Sequence, residues 1–389
     1  MYGKAAFRAR RWMLLLLTIL LGVCYYSWSS RHAALNRNRT AWSETTDSQK
    51  RQNLLTPSPF YVTLCQARLR DHHRTGNHLF LLAGLHYAAQ LTGRTVSLPK
   101  NGWPLDAIFQ TDGIHRYHTV PSCPCHEFTH PPTISYHGDD NLDTNEGRTA
   151  LQRDLNRTLA LCGLYQTYLY ADAVAPTLRR LLRFRPEILD RVRTILDDGR
   201  PPEWVPGSYK RVGLHIRRGD FLDRHWVEYG LTVVDRRFVN HAVDYFTSKF
   251  GRVHLVVASD DPQWIGDVLR EKFSLASTRF TSTFFSMTSH SMSVTLSRGQ
   301  SPGVDLALLA ACDAMIVSTG SFGWWAAWLA NRTTVYYERW SRVGSRFSRE
   351  FDSHRYFPPH WVPLRWDRRQ RLTLITVLLF YARFLRLWI

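Results

Sequence analysis

The stretch "RVGLHIRRGDF", residues 211–221, decides how the rest of the chain is read. Val212, Leu214 and Ile216 alternate with other residues and predict a buried strand. The strand breaks off into Arg217, Arg218, Gly219 and Asp220. Guanidinium forks match phosphate oxygens in geometry and charge. Gly219 permits a tight turn and close backbone approach, and Asp220 can hold an arginine in position. Taken alone, these four residues read first as a structural Arg–Asp pair at a strand end.

Two further apolar runs favour a ligand. "VHLVVA", 253–258, gives way to Ser259, Asp260 and Asp261. "AMIV", 314–317, gives way to Ser318, Thr319, Gly320 and Ser321. Between these strands lie the helix-compatible stretches "RRFVNHAVDYFTSKF", "PQWIGDVLREKF" and "VDLALLAACD". The alternation predicts an α/β fold with a parallel sheet. Such sheets place ligands outside the carboxyl ends of their strands. Three polar strand ends converging there are what a nucleotide pocket requires.

Upstream, "FYVTLC" predicts a strand from Phe60, and "RTGNHLFLLAGLHYAAQLTGRTVSLP" reads as turn, helix, turn and strand. Gly76 and Asn77 open that helix and Gly93 stops it. This is a βαβ unit. Residues 99–148 read as loops around short strands, and helical spacing returns over 171–198. "DDGRPPEWVPGSYK", 197–210, is the best domain boundary.

The N-terminal stretch narrows the setting. Lys4, Arg8, Arg10 and Arg11 precede an uncharged run over 12–30. With Leu14 to Leu21 as its apolar centre, this run of roughly 17–19 residues suffices for a thin bilayer. The positive flank predicts a cytosolic tail, 1–11, and a lumenal body. A cleaved signal peptide is the alternative, but Tyr25, Tyr26 and Trp28 leave no clear small-residue cleavage site. Residues 31–58 read as a polar stem. Sequons at Asn38, Asn156 and Asn331 agree with a lumenal body. Asn331 follows a Trp-rich helix so closely that burial is expected to block a glycan there. The formal net charge of +18 would suit nucleic acid, a membrane surface or a polyphosphate ligand. A lumenal address argues against nucleic acid. Cys65, Cys123, Cys125, Cys162 and Cys312 lie outside the apolar run. Some should pair in an oxidising lumen, with a connectivity that spacing does not reveal. Cys123-Pro124-Cys125-His126 lacks the spacing of a zinc site.

The motifs resemble a known family. "VGLHIRRGDF" is similar to the His-X-Arg-Arg-X-Asp motif of the α-1,2-fucosyltransferases, glycosyltransferase family 11. "GNHLFLLAGLHYAAQLTGRTVSLP" resembles its Gly-Asn-Gln block, with His78 in place of Gln. "LTVVDRRFVNHAVDYF", "VHLVVASDD" and "DLALLAACDAMIVSTGSFGWWAAWLA" resemble the later segments in order, and "GLYQTYLY" a block of the invertebrate branch. The resemblance runs over roughly residues 60–365.

It implies a GT-B-type glycosyltransferase of two Rossmann-like domains behind an N-terminal transmembrane helix. Residues 59–205 would form the acceptor side and 206–370 the GDP-fucose domain, with 371–389 of unassigned role. It implies a single-pass type II Golgi membrane enzyme moving L-fucose from GDP-fucose to the 2-hydroxyl of a terminal galactose. The anomeric centre would invert, and no metal cofactor would be needed. Arg217 would bind the β-phosphate. Asp220 would orient arginines or the acceptor, with general base as a weaker role, for which His225 and Glu228 are alternatives. His215 and Arg218 would shape the loop. Gly76 and Asn77 would give donors to the phosphates, Asp260 would meet the nucleoside, and Ser318, Thr319 and Ser321 would face the diphosphate. Trp324 and Trp325 are expected in the core. Acceptor contacts are expected in 99–148. The competing readings are a lumenal nucleotide-sugar or glycan binding protein without catalysis, and a fucosyltransferase of another linkage or acceptor.

Overall fold

The computed structural model describes residues 60–65, 74–100, 102–117, 134–137, 141–152, 155–201, 204–273, 277–280, 284–288 and 292–364. The expected tail, transmembrane segment, stem, C-terminal segment, Asn38 sequon and Cys123–Cys125 pair lie outside them. Among the described residues no helix is long and apolar enough to cross a membrane.

The first sheet holds β1 (Tyr61–Leu64), β2 (Thr95–Pro99), β3 (His115–Tyr117), β4 (Ile134–His137) and β5 (Thr158–Leu161). All are parallel, in the order β3-β2-β1-β5-β4. The expected βαβ unit is present: α1 (Thr75–Thr92) joins β1 to β2. Gly93 ends α1 at φ 70°, a left-handed conformation that suits glycine.

The second sheet holds β6 (Lys210–Ile216), β7 (Val253–Ser259), β8 (Ser277–Phe280), β9 (Phe284–Thr288), β10 (Met292–Ser297), β11 (Ala314–Val317), β12 (Thr333–Tyr337) and β13 (Val362–Leu364). Their order is β13-β12-β11-β6-β7-β10-β9-β8, with β9 antiparallel to both neighbours and the other pairs parallel. The helices that matter for the site are α2 (Pro186–Asp198), α3 (Arg236–Phe250), α4 (Pro262–Phe273), α5 (Pro302–Ala310) and α6 (Ser321–Ala330). α2 ends and β6 begins within the expected boundary stretch 197–210, so each sheet lies wholly on one side of it.

Each sheet is built on both sides of its first strand. The chain runs outward from β1 through β2 to β3, then crosses to the far edge as β4 and comes back with β5 beside β1. In the second sheet it runs from β6 to β7, adds β8 at the edge, returns through β9 to β10, and then crosses to β11 on β6's other side. Crevices at such points receive ligands in open α/β sheets. At the first of them Cys65 and Cys162 form a disulfide. Each directly follows its strand, and Leu64 faces Leu161 in register, so the bond staples the carboxyl ends of β1 and β5.

The described residues from Phe60 onward belong to one compact unit. Its larger apolar core contains α1, α5 and α6 together, and Phe80 of α1 meets Trp324 of α6 with ring centres 4.6 Å apart. Trp324 and Trp325 are fully buried, as expected for core residues. Arg355 forks onto Asp143 at 3.0 and 2.5 Å, tying the segment before β13 to the first half of the chain. A second core fills the space between β6, β7 and β10 and helices α3 and α4.

Candidate active site at the carboxyl ends of β6 and β11

β6 and β11 are adjacent and parallel, with His215 opposite Val317. Both strands are buried over the residues next to the site, because helices cover both faces of the sheet. Just past their ends the two loops clamp one another. The Arg217 N–H donates to Ser318 Oγ at 2.8 Å, and Thr319 Oγ1 donates to the Arg217 carbonyl at 3.4 Å. Ser318 and Thr319 are wholly buried, so their hydroxyls serve the Arg217 backbone. Gly320, at φ 95°, takes a conformation L side chains rarely adopt and lies against the Arg217 side chain.

Arg217 sits at the centre of an ion-pair chain. Its Nη2 lies 2.5 Å from Asp220 Oδ1, and its Nη1 lies 2.8 Å from Asp260 Oδ2. Asp220 also meets Arg74 at 3.2 Å. Asp260 also accepts from the Arg218 N–H at 2.8 Å. The Arg218 Nε is 3.2 Å from Asp261 Oδ2, and its guanidinium lies over the Trp264 ring at 4.5 Å. Gly219 is needed here, because a Cβ on it would come 2.8 Å from Asp260 Oδ2. Three guanidinium groups therefore face three carboxylates at the strand ends. The Asp260-Asp261 pair is engaged by arginines, and among the described residues no group of three or more His, Cys, Asp or Glu side chains is placed to hold a metal.

The N-termini of α1 and α6 meet beside this chain. A Cβ on Gly76 would come 2.6 Å from Phe322 N and Ser321 C, so only glycine allows the helices this approach. Asn77 Oδ1 accepts from Ser321 Oγ at 2.7 Å and from Gln166 Nε2 at 2.9 Å. The dipoles of two helix N-termini favour an anion between them, while the Asn77 N–H of α1 already donates to the Arg74 carbonyl at 2.9 Å. His215 lies buried behind, its ring 5.3 Å from Phe322. Burial lowers its pKa to about 4, so the imidazole is neutral near pH 7. A Cβ on Gly323 would come 2.4 Å from His215 Nδ1, so the Gly of "FGWW" makes room for His215.

The structure thus gathers Arg217, Arg218, Asp220, Asp260, His215, Gly76, Asn77, Ser318, Thr319 and Ser321 into one place. The sequence reading missed Arg74, Gln166 and Trp264 as members. Arg74, directly before the Thr-Gly-Asn helix start, was the one local signal. His225 and Glu228 lie on the exposed helix Arg224–Tyr229, where Glu228 pairs with Arg224 at 2.7 Å. Asn156 is exposed. Asn331, expected to be too buried for a glycan, is also exposed, because it caps α6 at φ 53° and leaves the helix there.

A model of glycosyl transferase family 11 matches residues 206–365. The chain is similar to "Galactoside 2-alpha-L-fucosyltransferase SEC1" of Bos taurus, 33% identical over 159 residues that make up 40% of this chain and 38% of that protein. It is similar to "Galactoside alpha-(1,2)-fucosyltransferase 1" of Rattus norvegicus, 29% identical over 213 residues, 54% of this chain and 52% of that protein. The chain spans about two fifths to half of the length of these curated relatives. Among solved structures it is similar to POFUT1 in complex with GDP, with a TM-score of 0.45 and 12% identity over 73% of this chain and 100% of that one. An Arabidopsis thaliana FUT1 mutant in complex with GDP gives a TM-score of 0.46 and 12% identity over 78% of each chain. Likenesses of this degree add nothing to the strand order itself. The residues that carry the second sheet and its polar strand ends, 206–365, are thus the part of the chain that matches glycosyl transferase family 11.

Proposed function

We propose that the chain transfers L-fucose from GDP-fucose to the 2-hydroxyl of a terminal galactose on a glycan, with inversion and without a metal. The single observation that carries this reading is Arg217, held between Asp220 and Asp260 at the β6–β11 crevice of a family 11 domain. Charge grows on the β-phosphate oxygen as GDP leaves. A guanidinium held in place there stabilises the transition state more than the ground state. Fixed arginines and helix N-termini can supply the positive charge that a divalent ion supplies elsewhere. Asp220 is committed to two arginines, which favours an orienting role over that of a free base.

The reading takes the architecture as GT-B, with 59–205 on the acceptor side and 206–370 on the donor side. It places the protein in the Golgi membrane as a single-pass type II chain. The uncharged run 12–30, the exposed Asn156 and Asn331 sequons and the Cys65–Cys162 disulfide, which suits an oxidising lumen, support that address.

Incubating the detergent-solubilised full chain with labelled GDP-fucose and a panel of galactosides tests it. Labelled saccharide is expected. Binding of GDP-fucose without transfer to any acceptor would favour the non-catalytic reading instead.

A further inference from the structure

Past Asp220 the chain passes through a 3-10 turn, Asp220–Leu222, into the helix Arg224–Tyr229. No residue of either element is buried. Yet among its charged residues the segment carries Phe221, Leu222, Trp226, Val227 and Tyr229. Leu222 is 48% exposed and Val227 42% exposed, well above what a core-facing helix leaves open.

The rings form a continuous ladder that begins at the ion-pair chain. The Arg217 guanidinium lies 5.3 Å from the Phe221 ring centre. Phe221 is 5.9 Å from Trp226, and Trp226 is 4.5 Å from His225. Tyr229 continues it at 6.1 Å from Trp226.

The segment is also fixed in place. Leu231 bridges Ser341, and the Arg342 N–H donates to the Gly230 carbonyl at 2.8 Å. Among the described residues the Trp226 indole N–H has no hydrogen-bond partner. Phe221, Trp226 and Tyr229 are half-buried and His225 is exposed. A fixed, half-open aromatic surface continuous with a reaction site marks a ligand face.

We propose that Phe221, His225 and Trp226 form the platform on which the acceptor saccharide lies, with its reacting hydroxyl turned toward Asp220. A galactose ring has one face of C–H groups and an edge of hydroxyls. The Trp226 face covers the first, while its indole N–H and the His225 imidazole answer the second. The occupant is a neutral, galactose-terminated saccharide, because the rings are continuous with the donor crevice and the neighbouring Arg224 and Glu228 charges pair with each other. This inference rests on the proposed transfer reaction. It moves the acceptor contacts from 99–148, where the sequence suggested them, to the lip of the donor side.

The test is initial-rate kinetics of the full chain with GDP-fucose and lactose, for wild type, Trp226→Ala, Trp226→Phe and His225→Ala. Trp226→Ala is expected to raise the lactose KM by roughly tenfold, with Trp226→Phe close to wild type. The GDP-fucose KM, thermal melt and oligomeric state should not move. A Trp226→Ala lactose KM within about twofold of wild type would overturn the platform. So would a GDP-fucose KM rising in step, or a change of oligomeric state, which would mean the face seats a second copy. Should Trp226→Ala fail to fold, the lactose KM of His225→Ala decides, raised or unchanged. Wild type that fucosylates no galactoside sinks the transfer reading and the platform with it. Wild type that does, beside unaffected variants, sinks the platform alone.

Discussion

Replacing Arg217 perturbs the site in two separable ways. Arg217→Lys keeps a charge but loses the planar fork that reaches Asp220 and Asp260 together. It removes one oriented donor, whose loss typically costs on the order of 10²-fold in turnover. Arg217→Ala does more. It leaves two guanidinium groups against three carboxylates, one net negative charge where a diphosphate must sit. At an effective dielectric of about 20, unit charges about 5 Å apart interact by about 3 kcal/mol, a further factor on the order of 10². Arg217→Ala should therefore lower kcat/KM by on the order of 10⁴-fold. The double variant Arg217→Ala/Asp260→Asn, which restores the charge balance, should recover tenfold or more of that, on the order of one decade to two. The fold should persist with the melt lowered by only about 2–4 °C, since the partner carboxylates are partly exposed and the pairs screened. Steady-state kinetics beside thermal melts of the three variants decide the matter. Near-normal turnover of Arg217→Lys, or no recovery in the double variant, would refute the reasoning. Unfolding of every variant would return the ion pairs to a purely structural role.

Other consequences follow from the same geometry. Turnover should survive EDTA; its loss on chelation and return with Mn²⁺ would reopen the acidic residues as metal ligands. Changing Cys65 and Cys162 to alanine opens a loop of sequence separation 97 and should cost about 2–5 kcal/mol in denaturant unfolding, whereas an unchanged midpoint would mean the bond constrains little. Burial lowers the pKa of His86 and His215 to about 4 and of His254 to about 3, against 6.5 in the unfolded chain. Protons then bind the unfolded state first. Stability present above pH 6.5 should fall as pH drops through the folded values, by on the order of a few kcal/mol per histidine; flat denaturation midpoints across that window would contradict their burial as neutral groups. Expressed in a glycosylating host, the chain should lose mass on glycosidase treatment through Asn156 and Asn331, and an unshifted chain would count against the lumenal orientation.

The three strands that define the site were legible because parallel strands buried on both faces read as apolar runs. β6, β7 and β11 are all of this kind. β10 was not, because its inward-facing Ser293 and Thr295 are polar. They bond to the equally buried His254, at 2.9 and 3.2 Å, so the polar atoms satisfy one another inside the sheet. Within the site, Arg217, Asp220 and Asp260 were legible as strand ends. Arg74 and Gln166 were not, because each joins through a contact with a distant segment. The disulfide was illegible for a related reason: Cys65 and Cys162 become neighbours only once β1 and β5 are known to pair. Ser318 and Thr319 were placed at the right loop, but the sequence could not show that their hydroxyls turn inward to the Arg217 backbone.

The most direct measurement is structural analysis of the product formed from GDP-fucose and a defined β-galactoside by the full chain. Two-dimensional NMR of the purified saccharide should show fucose joined through an α linkage to O2 of the terminal galactose. Fucose on another hydroxyl, a retained β configuration at its anomeric carbon, or hydrolysis of GDP-fucose with no saccharide product would contradict the account.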